Sequence, residues 1–125
     1  TLIGRCYVCH KIGSVGVEFG PALTDWGRGQ SREIILKAIL DPSAELSHGF
    51  EGTELVVKGD KKIQGFVQAE GDPLVIRVFG GQDLVIAKTD LKSRKQVKTS
   101  FMAPASRLGL NAQQLRDVVE YLKMN

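Results

Sequence analysis

The sequence predicts a mainly helical domain interrupted by an inserted antiparallel β meander or small barrel, α+β overall. Two observations predict it. Apolar residues recur at helical spacing on both sides of a middle stretch that alternates with period two, and glycine- and proline-rich turn signals divide that stretch into short runs. The length of 125 residues fits one domain, or one domain carrying an insertion. The boundaries fall at residues 1–49 and 100–125 for the helical part and 50–99 for the inserted strands.

The first element is a short helix ending in Cys6-Tyr7-Val8-Cys9-His10. The second starts at Ser31, a capping residue, with Glu33 suiting the positive end of the helix dipole. Ile34, Ile35, Ala38 and Ile39 share one face while Arg32 and Lys37 are polar, and Asp41-Pro42 stops the helix because the residue before proline avoids the α region. Alternation follows at Leu55/Val57, Ile63/Gly65/Val67, Leu74/Ile76/Val78 and Leu84/Ile86. The separators are Gly59-Asp60, Glu70-Gly71-Asp72-Pro73 and Gly80-Gly81, which gives an antiparallel meander of four or five short strands. The final helix opens on a capping box, Asn111 with Gln114, and buries Leu115, Val118, Val119 and Leu122.

The net charge of +3 is too small to argue for nucleic acid, and no apolar run is long enough to span a membrane. The start at Thr1 without an export signal fits a processed or excised piece. Both cysteines lie in one CxxCH motif, which leaves no disulfide framework. Two thiols one helical turn apart can both reach the vinyl edge of a porphyrin, and a histidine directly after the second can ligate the iron. Three readings compete. Structural zinc needs four ligands, and beyond the motif only His48 remains as a nitrogen or thiolate donor. A thioredoxin-like pair needs a preceding buried strand, which Thr1 to Arg5 do not supply. Two inert thiols in a chance match are the third.

A second axial ligand has three candidates. Met124 is penultimate and His48 sits in a turn-like Ser47-His48-Gly49, where an exposed histidine is the ordinary occupant. Met102 lies in the helix-poor Ser100-Phe101-Met102-Ala103-Pro104 loop before the last helix, and a flexible thioether there can reach an iron. Core filling is its competing role. Among the three, Met102 is the candidate.

The run from Gly4 to Leu23, the helix ending Ile39-Leu40-Asp41-Pro42-Ser43 and the Met102 loop before a final helix together resemble class I c-type cytochromes. The closer likeness is to the planctomycete-type haem-binding domain with a β insertion. The resemblance implies a mainly α cytochrome c fold carrying the inserted meander or barrel, with one covalent haem c on Cys6 and Cys9. It implies His10 and Met102 as axial ligands and the Pro21 carbonyl as acceptor from the His10 ring; an ordinary turn proline is the alternative. Trp26 and Arg28 stand where haem-pocket partners of the propionates stand in that family, against a packed tryptophan beside a solvated arginine. Ala103 departs from the family pattern, in which proline follows the methionine directly; here Pro104 comes one residue later.

The function these readings predict is electron transfer through a His/Met haem, with no further active site and no enzyme activity of its own. The alternative is a haem-based ligand sensor in which Met102 is weak or displaceable. The resemblance further implies a module of a larger exported redox protein, periplasmic or otherwise outside the cytoplasm, where such thiols are matured. Its partner would be a redox protein or a neighbouring dehydrogenase-like domain. The basic segment from Lys88 to Lys98 carries five cationic residues against Asp90 alone and could steer an acidic partner, although protection of a sheet edge explains the same charges. The helical part is small for an independent core, since a domain of that size buries only about 60% of its surface. A haem would add a flat apolar body for it to pack on.

Overall fold

The structure, a computed structural model, describes residues 4–46 and 49–124. The helices are α1 (Gly4–Tyr7), α2 (Arg32–Leu40), α3 (Ala105–Leu108) and α4 (Ala112–Met124). The strands are β1 (Lys11–Ile12), β2 (Val15–Gly16), β3 (Gly52–Val57), β4 (Lys61–Ala69), β5 (Leu74–Arg77), β6 (Asp83–Ile86) and β7 (Leu91–Val97).

The expected mainly α cytochrome c fold is corrected by this architecture. Among the described residues the fold is mixed α/β, 30% helix and 29% strand, with four short helices and a five-stranded antiparallel sheet. The physical reason lies between residues 8 and 31. Gly13, Gly16, Gly20, Pro21, Gly27 and Gly29 break any helical run there, leaving the tiny β1–β2 ladder, turns and a short 3-10 turn at Gly27–Gly29. Only α2 and α4 have the length to bury a stripe.

In α2 the hydroxyl of Ser31 accepts from the Ile34 N–H at 3.2 Å, and the helix stops before Asp41-Pro42. Ile35 and Ile39, one turn apart, are buried. Ile34, grouped with them by periodicity, is instead 52% exposed, so the packed stripe is narrower than the sequence indicates. In α4 the reciprocal capping box is formed: the Gln114 N–H donates to Asn111 Oδ1 at 2.8 Å and the Asn111 N–H to Gln114 Oε1 at 2.9 Å. Val118, Val119 and Leu122 face Ile12, Ile35, Ile39 and Ala105 in one apolar cluster, with Leu115 partly buried against it.

Across the α2–α4 contact, Arg32 donates to both carboxylate oxygens of Glu120, at 2.5 and 3.1 Å. That hydrogen bond and the guanidinium charge hold the Glu120 carboxyl below its ordinary value of 4.5. A carboxyl whose folded-state pKa is depressed stabilises the fold above its ordinary pKa and stops doing so as acid protonates it. Thermal melts should therefore show wild type above Glu120→Gln near neutrality. The gap should close as the pH falls below about 4.5; a gap independent of pH would refute the ion pair.

The sheet order is β6-β5-β4-β3-β7. β3 to β6 form the expected meander, but β7 doubles back to pair with β3. β3 is thus the middle of its ladder, which suits its Leu-Val-Val end, and β7 takes the edge. The long β4 belongs to two ladders, pairing with β3 through Gly65 and with β5 from Phe66, with a register shift between Val67 and Ala69. Glu70, just past β4, reaches Arg94 on β7 at 2.8 Å although β3 separates the two strands in the sheet. The sheet is therefore strongly curled. Its own core is Leu55, Val57, Ile63, Leu74 and Ile76.

Candidate functional site

The motif sits where α1 ends. The N–H groups of Cys9 and His10 both donate to the Cys6 carbonyl, at 3.2 and 2.8 Å, so the chain makes one more turn and then leaves the helix. Both thiols are free and half-buried. Burial raises the pKa of each, with the neighbouring Cys9 adding to the effect on Cys6. They stand as protonated thiols near neutrality.

His10 is fixed by the loop that follows. Its Nδ1–H donates to the Pro21 carbonyl at 2.6 Å. The loop itself is pinned to the motif by the Phe19 and Gly20 N–H groups, which donate to the Cys9 carbonyl at 3.2 and 2.6 Å. Leu23 N–H donates to the Lys11 carbonyl at 2.9 Å. Gly20 lies directly against the imidazole: a Cβ there would stand 2.8 Å from His10 Cε1 and 3.1 Å from Nδ1. Burial lowers the His10 pKa, and the bond to Pro21 opposes this only in part. A neutral ring with its proton held at Nδ1 leaves the Nε2 lone pair as the donor, the form in which imidazole binds a metal.

The motif helix is tied to the C-terminal part. Tyr7 and Tyr121 share a hydrogen bond between their hydroxyls at 3.0 Å, and the Arg5 guanidinium donates to the Leu108 carbonyl. Met102 is half-buried and packs on the cluster formed by Ile12, Ile35, Ile39 and α4, so it shares a core with the segment leaving His10. Its N–H donates to Ser100 Oγ at 3.1 Å, and Ser100 N–H donates to Ser43 Oγ at 3.0 Å, which ties the loop to the end of α2. Met124 is 77% exposed. His48 lies outside the described residues.

Trp26 packs half-buried on the same core. Arg28 is exposed and forms an ion pair with Asp25 three residues earlier, so its guanidinium already has a carboxylate. The basic β7 is similarly compensated: Lys92 pairs with Asp60 at 2.8 Å, Arg94 with Glu70, and Lys95 with Glu54 at 3.0 Å. Mostly exposed, those ion pairs add little to stability, but they blunt the field a partner would feel.

Sequence reasoning picked out Pro21 and passed over Gly20, although a glycine before a proline that must approach a ring is a readable signal. It also passed over the phenylalanines, which are scattered in sequence and meet only in the fold. Among the described residues no group of three or more His, Cys, Asp or Glu side chains converges as a metal-ion site. None of the helices is long and apolar enough to cross a membrane among those residues. No protein-family model matches the chain, and no curated protein matches it.

Proposed function

We propose that the chain is an electron-transfer module carrying one covalent haem c, resembling class I c-type cytochromes in its motif and ligand residues. The observation that carries this reading is the His10 imidazole. It directly follows two free thiols and is locked by Pro21 in the tautomer that offers Nε2, with Gly20 packed beneath the ring. Nothing in a thiol redox pair calls for that arrangement, whereas an axial ligand does.

Cys6 and Cys9 would hold the group through thioethers, and His10 Nε2 and Met102 Sδ would be the axial ligands. A haem held there would supply reversible one-electron chemistry. The chain's part is to orient the ligands and keep water from them. Pro21 and Gly20 set the His10 ring, and the shared core of Ile12, Ile35 and Ile39 gives Met102 an apolar surrounding. A thioether ligand such as Met102 would raise the reduction potential of a haem held there, which suits electron transfer. An exported location and a protein redox partner accord with such a module.

The visible spectra of native and Met102→Ala protein, matured with haem and recorded in both oxidation states, test the reading. Native protein should keep its haem through denaturation and show the ferric methionine–iron charge-transfer band, and the variant should lose that band. Haem that extracts freely overturns covalent attachment, and a band retained in Met102→Ala overturns the ligand. Rapid, tight carbon monoxide binding by reduced native protein would favour a ligand sensor instead.

A further inference from the structure

The chain has five phenylalanines, and all five meet. The Phe19 ring lies 4.8 Å from Phe66, 4.5 Å from Phe79 and 6.3 Å from Phe101, centroid to centroid. Phe66 lies 5.2 Å from Phe50 and 5.3 Å from Phe101, and Phe79 lies 6.2 Å from Phe101. These are ring-pair distances at which aromatic contacts are favourable. The rings belong neither to the core of the curled sheet nor to the core around α2 and α4. They form a third cluster that joins the inserted strands to the loops of the candidate site.

Two members adjoin that site in the chain. Phe19 precedes Gly20, which lies against the His10 ring, and Phe101 precedes Met102. Phe66 comes from β4, Phe79 from the turn after β5, and Phe50 from the approach to β3. Phe101 also lies on bare backbone: a Cβ at Gly52, the first residue of β3, would fall 2.5 Å from its ring. The loop that carries Phe19 and Gly20 and the loop that carries Phe101 and Met102 are thus gripped by the same part of the sheet.

We propose that this cluster is a positioning device, in which Phe66 and the Gly52 backbone hold Phe101 and so fix Met102 relative to the His10 loop. The inserted sheet then sets how firmly the methionine holds its ligand position. Such a strut is useful here because the hydrogen bonds to and from Ser100 hold the start of the loop, and Ala103 lets the backbone after Met102 move more than a proline would. The inference rests on the reading of His10 and Met102 as axial ligands and deepens it.

The test is an imidazole titration of the ferric holoprotein, following loss of the methionine–iron charge-transfer band, for wild type, Phe66→Leu, Phe101→Leu and Leu55→Ala, with thermal melts of each. Leu55 is fully buried in the sheet core and outside the phenylalanine cluster, so its truncation weakens the sheet without touching the strut. Phe66→Leu and Phe101→Leu should raise imidazole affinity roughly tenfold. Leu55→Ala should lower the melting temperature while leaving that affinity within about twofold. Phe79→Ala, at a ring that is 54% exposed and tolerant of truncation, should give a smaller rise in the same direction. Unchanged affinity in the phenylalanine variants, or an equal rise in Leu55→Ala, overturns the proposal while the ligand assignment stands. A wild type without covalent haem or without the band overturns both.

Discussion

Gly27→Ala is expected to be among the most destabilising single substitutions in the chain, although it adds one methyl group. Gly27 is buried in the short 3-10 turn, and a Cβ there would fall 2.0 Å from the Leu122 carbonyl oxygen and 2.5 Å from its carbon. The obstacle is backbone on both sides, so no rotamer change relieves it. Either the turn or the whole of α4 must move, and α4 carries Val118, Val119 and Leu122 of the helical core. Lys123 Nζ, which donates to the Gln30 carbonyl at 2.5 Å, would move with it. Overpacking commonly costs 1–3 kcal/mol, and a rigid contact of this kind belongs at or above the top of that range, about 3 kcal/mol. For a domain of this size the melting temperature should fall by about 10 °C or more. Gly29→Ala, two residues on with nothing within 4 Å, is the control and should change little. Equal melting temperatures for the two variants would show that α4 is not seated on Gly27.

The same contact shows what could and could not be read in the sequence. The ends of α2 and α4 were legible because they are local: Ser31, Asp41-Pro42 and the Asn111/Gln114 box act within a few residues of themselves. The strands were legible for a similar reason, since alternation and turn residues mark each run. What those strands do together was not. β7 pairs with β3 rather than with β6, where Lys95 meets Glu54 across from Gln64, and no local pattern encodes that choice. The mainly helical expectation assigns residues 1–49 to the helical part, whereas the glycine-rich segment through residue 29 forms turns, the β1–β2 ladder and a 3-10 turn. Gly27 itself reads as a loop glycine until α4 is seen against it.

At the candidate site the division is the same. Cys6, Cys9 and His10 lie within five residues, so the motif they form is legible from spacing alone. Met102 stands out as a candidate by elimination among donors, because the chain has only two methionines and two histidines. The ion pair that occupies Arg28 depends on Asp25, whose positive φ of 62° is a property of the folded turn. The phenylalanine cluster is the least legible feature, because its members lie from residue 19 to residue 101 and carry no mutual spacing.

Gly20→Ala should have the largest effect on the site itself. Its φ lies outside the left-handed region, so alanine is allowed by the backbone, and the only obstacle is what the methyl group meets. That is the edge of the His10 ring, at 2.8 Å from Cε1 and 3.1 Å from Nδ1, with the Cys9 carbonyl oxygen at 3.4 Å. The ring is the more movable neighbour, and moving it stretches the 2.6 Å bond to the Pro21 carbonyl. Loss of such an outer contact commonly weakens a histidine ligand 10- to 100-fold. The thiols are not touched by the added methyl, so under the proposed haem c reading Gly20→Ala protein should carry its full complement of covalent haem while a larger share of it becomes high-spin in the ferric state. Haem content after denaturation and the ferric visible spectrum measure the two effects separately. A variant with wild-type spin state would mean that His10 tolerates displacement from Pro21, and the imidazole would then be oriented by something other than this loop. A variant that loses covalent haem as well would place Gly20 in the conformation of the CxxCH segment rather than of the ring alone.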